Sequence, residues 1–258
     1  MTASEELALL SIDGPIATIT LNRPAVFNAI NLAIAQRLES LGRQIEQDDA
    51  IRVLVIEGAG RSFCAGGDLQ TFLANADTIG DTVREMLTHY HRFIASLRRM
   101  PKMVVTSVHG AAAGAGLSLA FMGDACIAAD DAKFTAAYNK LGVSPDGGGT
   151  VGFAPVAGAQ RALQVFLSGD PVSAAQMLQW GLIAEVVPAA ELKAATARMA
   201  QKLARNAPAA IATTKALVYR NAPPVEAQLD AEMEGIIACM QTKPFRQALA
   251  GIAAKSKG

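Results

Sequence analysis

Apolar positions recur at two spacings along the first half of the chain, and their alternation predicts strands followed by helices. Apolar residues spaced three or four apart predict helices over about 31–47 and 81–99, with Asn31 able to cap the first. Short β-branched runs are typical of buried strands. Such runs lie at 53–57, 103–108, 125–129 and 133–135.

Two further apolar runs, 7–12 and 16–21, flank Asp13-Gly14, a dipeptide that favours a tight hairpin. Together with the strands and helices downstream, they give repeated strand, strand, helix units. This pattern indicates an α/β fold in which successive turns of chain stack on one another.

The pattern becomes purely helical after residue 191, and Pro208 and Pro223-Pro224 divide the helices. Helices are predicted over 192–205, 209–220, 225–239 and 245–253. We therefore predict a core domain with the active site over 1–191, and a C-terminal helical region over 192–258.

Charge and composition argue against two classes of partner. The 258 residues carry 23 Lys and Arg against 23 Asp and Glu, so no net charge attracts nucleic acid or anionic lipid. The stretch 103–123 has no charged residue, but its β-branched first part and glycine-rich second part indicate a strand, a turn and a core helix rather than a membrane span. We expect neither nucleic acid nor membrane as a partner.

The cysteines and histidines indicate neither a disulfide framework nor a metal site. Cys64, Cys126 and Cys239 lie far apart without C-x-x-C spacing, and we interpret them as buried small apolar residues in a reducing compartment. His89 and His91 are two apart on a predicted helix and face different directions. The first six residues show no secretory signal, so we expect a cytoplasmic location.

Two glycine-rich turns carry the candidate chemistry. Each follows a predicted strand, and small residues let backbone N–H groups approach a ligand closely. Their sequences are Phe63-Cys64-Ala65-Gly66-Gly67-Asp68-Leu69 and His109-Gly110-Ala111-Ala112-Ala113-Gly114-Ala115-Gly116. Two such turns can aim two donors at one oxygen, and a helix starting near Gly116 adds its partial positive charge. Each donor of such an oxyanion hole contributes about 3 kcal/mol, so the turns predict an enzyme that stabilises an enolate.

Five motifs resemble those of the enoyl-CoA hydratase/isomerase (crotonase) superfamily, in order across nearly the whole chain. They are Leu21-Asn22-Arg23-Pro24 with Asn28-Ala29-Ile30, the first glycine turn, Gly114-Ala115-Gly116 with Leu119-Ala120, the segment 141–150, and Gly181-Leu182-Ile183 before Val186-Val187. The resemblance implies an α/β, crotonase-like spiral of repeated ββα units, with C-terminal helices that pack against neighbouring subunits in a homotrimer or hexamer. It also implies an acyl-CoA thioester substrate and no separate cofactor, because coenzyme A is part of the substrate.

The resemblance assigns residues to roles in this sequence. The two oxyanion N–H groups correspond to Gly67 and Ala115. Contacts to the substrate correspond to Ala25, Phe27, Ala65, Asp68, Leu69, Gly114 and Tyr138. Arg23 and Lys140 are further candidates for the CoA phosphates, although a solvated surface charge is the commoner role of either.

The proton carrier departs from the hydratase pattern. Hydratases of this superfamily use two glutamates, and the matching positions here are Ser118 and Tyr138. Asp146 matches the single essential carboxylate of double-bond isomerases and of an aryl-CoA dehalogenase, and its apolar neighbours are expected to raise its pKa. The alternatives are that Asp146 caps a helix, that Tyr138 only fills the acyl pocket, and that Ser118 is a small residue at a helix start.

The sequence therefore predicts an enoyl-CoA isomerase with Asp146 as proton shuttle, and leaves three alternatives. An enoyl-CoA hydratase of fatty-acid or aromatic-acid degradation is the first. An NAD(P)-binding oxidoreductase is the second, because strand 103–108 and Gly114-Ala115-Gly116 form half of a dinucleotide fingerprint, although Leu119 occupies its third glycine position. A non-catalytic oligomeric binding protein is the third.

Overall fold

Strands and helices alternate through residues 7–255, which are the residues that the computed structural model describes. The strands are β1 (Ala8–Asp13), β2 (Ile16–Leu21), β3 (Val53–Gly58), β4 (Met103–Val108), β5 (Ala111–Ala113), β6 (Ala125–Ala129), β7 (Lys133–Thr135), β8 (Val172–Ser173) and β9 (Glu185–Val187). The helices are α1 (Leu32–Gln47), α2 (Leu69–Ala74), α3 (Ile79–Arg99), α4 (Ala115–Met122), α5 (Ala154–Ala157), α6 (Ala159–Ser168), α7 (Ala174–Gln179), α8 (Leu192–Ala204), α9 (Pro208–Val218), α10 (Val225–Met240) and α11 (Lys243–Lys255). Short 3-10 helices lie at Pro24–Val26, Ala76–Thr78, Tyr138–Leu141 and Ala189–Glu191, and a π-helix at Gly149–Phe153.

The larger sheet has the order β1-β2-β3-β4-β6-β9 and is parallel except for the β1–β2 hairpin. The hairpin predicted around Asp13-Gly14 is present: Asp13 pairs with Ile16, so its two-residue loop is Gly14-Pro15. Gly14 has a φ of 54°, which a glycine adopts without strain. The predicted α/β class with its spiral of ββα units is confirmed.

Both faces of this sheet are covered, because its central strands send apolar side chains alternately to each side. Leu54 and Ile56 join the core with α1 and α3, whereas Val53, Val55 and Val105 pack against α8. Helix α8 belongs to the predicted C-terminal region yet covers the core sheet. The division of the chain at 191 and 192 stays a prediction.

The smaller sheet has the order β5-β7-β8 and extends into the two loops that carry the site. An isolated parallel bridge joins Cys64 to Ala112 of β5, and another joins Ile30 to Gly67. Backbone pairing therefore brings the first glycine turn beside the second, although they are about fifty residues apart in sequence.

The last two helices return to the site. Helix α10 packs along α3 and against the π-helix, and α11 packs against the 3-10 helix Tyr138–Leu141. The predicted positions of α1, α3 and the four C-terminal helices agree with the structure within a few residues, whereas α2, α5, α6 and α7 were not predicted.

The uncharged stretch 103–123 forms β4, β5 and α4, as expected. Among the described residues, no helix combines the length and hydropathy needed to cross a membrane. Residues 1–6, on which the expectation of no secretory signal depends, lie outside the described residues.

Candidate active site

The two glycine turns are in direct contact. The amide of Cys64 donates to the Ala111 carbonyl at 3.0 Å, and the amide of Ala113 donates to the Cys64 carbonyl at 2.9 Å. A β-carbon on Gly66 would lie 2.7 Å from the Ala113 oxygen and 3.3 Å from the Ala115 nitrogen. The backbone of the first turn thus lies against the start of α4.

The first candidate donor is the amide of Gly67. The Ile30 amide donates to the Gly66 carbonyl at 2.7 Å, and the Asp68 amide donates to the Ile30 carbonyl at 2.8 Å. In a parallel bridge these flanking groups face the partner strand, so the N–H of the residue between them points to the opposite side. The amide of Gly67 is thereby directed away from Ile30.

The second candidate donor is the amide of Ala115, the first residue of α4. The Gly114 amide donates to Thr135, and the first bond within the helix runs from the Ser118 amide to the Gly114 carbonyl at 3.1 Å. The amide of Ala115 is therefore one of the donors that a helix start leaves without an intrahelical acceptor, and it lies at the positive end of the helix dipole. Gly67 and Ala115 line one cavity of about 460 Å³.

Asp146 lines the same cavity. Its side chain is buried, and its Oδ1 atom has no hydrogen-bond partner among the described residues. A β-carbon on the adjacent Gly147 would lie 3.5 Å from the Ala115 β-carbon, so the turn after Asp146 is close to the second donor. Burial, together with the negative charge of Glu232, raises the pKa of Asp146 from 3.8 to about 7.

Asp146 does not cap a helix through its side chain, contrary to the alternative raised from the sequence. The π-helix that follows has Gly148 at its N-cap, without a side-chain capping bond. A buried carboxyl with one unpaired oxygen and a pKa near neutrality has the properties of a general acid and base.

Ser118 and Tyr138 hold the backbone of Asp146. The Ser118 hydroxyl donates to the Asp146 carbonyl at 2.7 Å and the Tyr138 hydroxyl donates to the same oxygen at 3.0 Å. The two hydroxyls are 2.9 Å apart. Burial, followed by the negative charge of Asp146, raises the pKa of Tyr138 well above its usual value, so Tyr138 is neutral at physiological pH.

The sequence patterns do not predict two residues that lie near the site, Tyr90 and Glu232. Tyr90 of α3 lines the cavity, and its hydroxyl donates to the Ala115 carbonyl at 3.4 Å. Glu232 of α10 accepts bonds from the turn that follows Asp146. A signal for Glu232 existed: it lies between Leu229 and Ile236 on the buried face of α10, where a carboxylate needs partners. Tyr90 gave no such signal, since a tyrosine in an apolar stripe is ordinary core.

The remaining wall of the cavity is mostly apolar. Ionisable side chains on the wall are Asp146, Lys140 and the two neutral tyrosines. The apolar side chains come from α2, α3, α10 and α11 and from nearby loops. They are Ile30, Leu69, Phe72, Met86, Leu87, Leu141, Val143, Ile236, Met240, Ala248 and Ile252.

The residues assigned to coenzyme A by resemblance lie around the first turn. The amide of Ala65 donates to the Phe27 carbonyl at 2.9 Å, which ties the segment containing Ala25 to this turn. The Arg61 guanidinium lies 4.3 Å from the centre of the Phe27 ring. Ala65, Leu69 and Gly114 line the cavity. The assignment of Ala25, Phe27, Ala65, Asp68 and Leu69 to coenzyme A stays a prediction.

Asp68 and Arg23 bind each other. The Arg23 guanidinium lies 2.8 Å from the Asp68 carboxylate and also donates to the Ala29 carbonyl. The other carboxylate oxygen of Asp68 caps α2 by accepting from the Gln70 and Thr71 amides. These side chains therefore stabilise the first turn, and Arg23 is not a free cation for a phosphate.

The thiols of Cys64 and Cys239 and the rings of His89 and His91 have no part in the site, although the backbone of Cys64 joins the two glycine turns. Burial raises the pKa of Cys64 to about 12, so its thiol is inert, and Cys239 is half-buried rather than buried as expected. His89 contacts Glu39 at 2.5 Å, while burial lowers the pKa of His91 to about 4. Within residues 7–255 no group of three or more His, Cys, Asp or Glu side chains is arranged to hold a metal.

Comparison with known proteins gives the family. Residues 11–257 match the family model described as enoyl-CoA hydratase/isomerase. The chain is 36% identical to the 1,2-epoxyphenylacetyl-CoA isomerase of Escherichia coli, over 97% of this chain and 96% of that protein. It is 33% identical to a probable enoyl-CoA hydratase of Rhodobacter capsulatus, over 90% of this chain and 89% of that protein.

A solved structure supports the same assignment. The enoyl-CoA hydratase of Mycobacterium avium subsp. paratuberculosis superimposes with a TM-score of 0.85 at 26% identity, over 95% of this chain and 98% of that one. Sequence motifs, fold and site geometry agree with these matches. The chain belongs to the enoyl-CoA hydratase/isomerase (crotonase) family of acyl-CoA enzymes.

Proposed function

We propose that this enzyme is an enoyl-CoA isomerase that moves a double bond within an acyl-CoA thioester, with Asp146 as its single proton carrier. The observation that carries the proposal is the shared cavity. A buried carboxyl with an unpaired oxygen lines it together with Gly67 and Ala115, whose amides are the candidate donors, and among the described residues no second carboxylate lines it.

In the proposed reaction the thioester oxygen accepts hydrogen bonds from the amides of Gly67 and Ala115. Ionised Asp146 removes a proton from the α-carbon of a 3-enoyl thioester, and the electron pair of the broken C–H bond delocalises into the thioester as a dienolate. Protonated Asp146 then gives that proton to the γ-carbon, which leaves the 2-enoyl thioester. No atom is gained or lost, and water is not required.

The pKa of Asp146 suits both steps. At a pKa of about 7 the carboxyl is divided between its ionised and protonated forms near neutral pH, so it can accept a proton and return it. The two amides contribute by stabilising negative charge that develops on the thioester oxygen.

Hydration is the runner-up and has weaker support. It requires one group to activate water and another to protonate the α-carbon. Ser118 and Tyr138, at the positions of the two hydratase glutamates, are hydroxyls that bind the Asp146 carbonyl. Neither supplies a carboxylate.

Family membership and the paired turns favour a thioester enzyme over the two other classes raised from the sequence. An NAD(P) oxidoreductase would bind the dinucleotide tightly, which titration measures. A non-catalytic binding protein would leave every enoyl thioester unchanged.

The cavity favours a neutral acyl group. Apart from Asp146, two tyrosines and the exposed Lys140, its walls are apolar, and a charged group buried against those apolar walls would lose hydration without a partner. The relative named 1,2-epoxyphenylacetyl-CoA isomerase acts, by its name, on an acyl group with a ring. We include ring-derived acyl groups among the proposed substrates on that ground.

The decisive experiment supplies 3-enoyl and 2-enoyl thioesters of coenzyme A separately and identifies each product. We expect conversion of the 3-enoyl to the 2-enoyl compound, and loss of that rate in Asp146→Asn. The exposed Asp170→Asn serves as the matched control and keeps the rate. Rapid formation of a 3-hydroxyacyl product from the 2-enoyl compound would overturn the proposal.

We also propose the homotrimer, or a hexamer of two trimers, that the family resemblance implies. Support comes from large apolar side chains on the surface, including Leu163, Leu167, Leu217 and Val218, each 59% or more exposed. Light scattering coupled to gel filtration measures the mass, and a monomer at micromolar concentration would refute the assembly. The cytoplasm stays the predicted location.

A further inference from the structure

Glu232, on helix α10 of the C-terminal region, binds the turn that follows Asp146. This side chain of α10 is buried, and its carboxylate accepts from the Gly148 and Thr150 amides at 2.7 Å each. The Thr150 hydroxyl donates to it at 2.5 Å. Burial raises the pKa of Glu232, and these three donors oppose that shift because they bind its ionised form.

The bound turn needs such support. Gly147 and Gly148 have φ values of 62° and 90°, which lie in the left-handed region that glycine adopts readily. Glycine also adopts many other backbone conformations, so these two residues do not hold the turn in place by themselves. On one side of this pair, Ser118 and Tyr138 hold the Asp146 carbonyl. On the other side, Glu232 accepts from the amides of Gly148 and Thr150, so the turn is held at both ends.

Glu232 also accepts from the Gly148 amide, two residues after Asp146, and after burial its negative charge contributes to the raised pKa of Asp146. The other groups facing Asp146 are the neutral phenols of Tyr90 on α3 and Tyr138 on the 3-10 helix, and the hydroxyl of Ser118 on α4. Lys140 lines the same cavity but is exposed.

We propose that Glu232 is a positioning residue of this active site: its carboxylate orders the turn 147–150 and places a negative charge against Gly148, two residues after Asp146. The proposal rests on the proposed function, because it assigns Asp146 the role of proton carrier. It connects the C-terminal helical region to the chemistry of the core.

The variant Glu232→Gln tests both parts. Glutamine removes the charge, and its amide NH₂ cannot accept from the backbone donors that the carboxylate serves. We expect the apparent pKa of Asp146 to fall by roughly one unit, because a neighbouring like charge is lost. We expect kcat to fall by up to about 100-fold from misplacement of the turn, with KM changed little.

Glu234→Gln is the matched control. Glu234 lies two residues away on the same helix, is exposed and pairs with Arg84. The control removes the same charge from the same element without facing Asp146, so the Asp146 pKa and kcat should stay at wild-type values.

The pKa is read without substrate, by carbon-13 NMR of labelled aspartate carboxyls, with Asp146→Asn assigning the resonance. A fall in the Asp146 pKa in Glu232→Gln but not in Glu234→Gln supports the proposal. An unchanged Asp146 pKa or an unchanged kcat in Glu232→Gln overturns it. Because the NMR readout is independent of turnover, failure of the isomerase assignment remains distinguishable.

The wild-type protein provides a test that does not depend on folding of the variant. If both carboxyls are labelled, the Asp146 resonance should show a second inflection at the pH where Glu232 titrates, because coupled groups sense each other. A single inflection would overturn the proposed charge interaction.

Discussion

Gly116, in the first turn of α4, lies against the backbone of Cys64: a β-carbon on Gly116 would be only 2.1 Å from the Cys64 carbonyl oxygen. That oxygen already accepts a bond from the Ala113 amide. The contact brings the start of α4 onto the first glycine turn, and it therefore sets the separation of the Gly67 and Ala115 amides. No other residue fits here, since the atom that a side chain would meet is backbone.

Gly116→Ala should consequently damage stability and catalysis together. We expect the free energy of unfolding to fall by about 1–3 kcal/mol, as for other overpacked sites, and kcat to fall by roughly 100-fold or more as the two donors separate. Urea unfolding and steady-state kinetics measure the two effects. Gly80→Ala in α3 is the control, because its β-carbon would meet nothing closer than 3.6 Å. If Gly116→Ala and Gly80→Ala lose the same stability and the same kcat, the contact between Gly116 and Cys64 does not set the separation of the two donors.

The decrease of kcat/KM at low pH should follow the protonation of the Asp146 carboxylate. The ionised carboxylate is the base, so kcat/KM should rise with pH and level off above the pKa of about 7. Rates with a 3-enoyl thioester between pH 5 and 9 give the profile. A limb with its midpoint near 4, the usual range of a solvated carboxyl, would show that burial does not raise the pKa of Asp146.

The same pKa makes stability depend on pH in a defined direction. The folded protein holds the Asp146 proton up to about pH 7, whereas the unfolded chain releases it near 3.8, so the free energy of unfolding should fall as pH rises between these values. The contribution is on the order of 4 kcal/mol at most, at 1.36 kcal/mol for each pKa unit. Asp146→Asn removes it, so this variant should gain stability relative to wild type from pH 4 to pH 7. Urea unfolding of wild type and Asp146→Asn at pH 4 and pH 7 measures the difference in their free energies of unfolding. If that difference is the same at both pH values, the proton on Asp146 does not contribute to stability.

Much of the scaffold around these groups was predictable because local patterns specify it. Asn31 caps α1 through the Ile34 amide, as its position before an apolar stripe predicts. The stretch 103–123 folds as a strand, a turn and a helix because glycines and β-branched residues have strong local preferences. Helix α2 was missed because it has only six residues and one buried apolar side chain, Phe72.

The site was less predictable, because its groups meet through the fold rather than through the sequence. Gly67 and Ala115 fall in conspicuous turns, and the resemblance supplied Asp146. The contact of Glu232 with Gly148 spans 84 residues and depends on α10 returning across α3. Nothing local to either segment encodes that meeting.

Asp68 should stabilise the first turn by two separable contributions, which a pair of variants resolves. Asp68→Asn keeps a good N-cap for α2 but leaves the Arg23 guanidinium, whose side chain is 15% exposed, without its anion. We expect a loss of roughly 1–3 kcal/mol in the free energy of unfolding. Asp68→Ala also removes the cap and should cost about 1 kcal/mol more. Identical stability of the two variants would show that the cap contributes nothing.

The apolar walls of the cavity predict a preference that substrate pairs can measure. A 3-enoyl thioester whose acyl chain ends in a carboxylate should react with a kcat/KM at least roughly 100-fold below that of a neutral chain of equal length. The reason is that the walls other than the exposed Lys140 are mostly apolar, so a carboxylate buried among them finds no partner. Met86, which is 4% exposed on the cavity wall, offers the reciprocal test. Met86→Lys places a cation inside the cavity and should narrow that ratio, whereas Ile12→Lys, at a side chain 51% exposed on β1, should leave it unchanged. Burying a carboxylate without a partner always costs free energy. If the wild-type enzyme converts both substrates with equal kcat/KM, the acyl chain therefore does not lie against these walls.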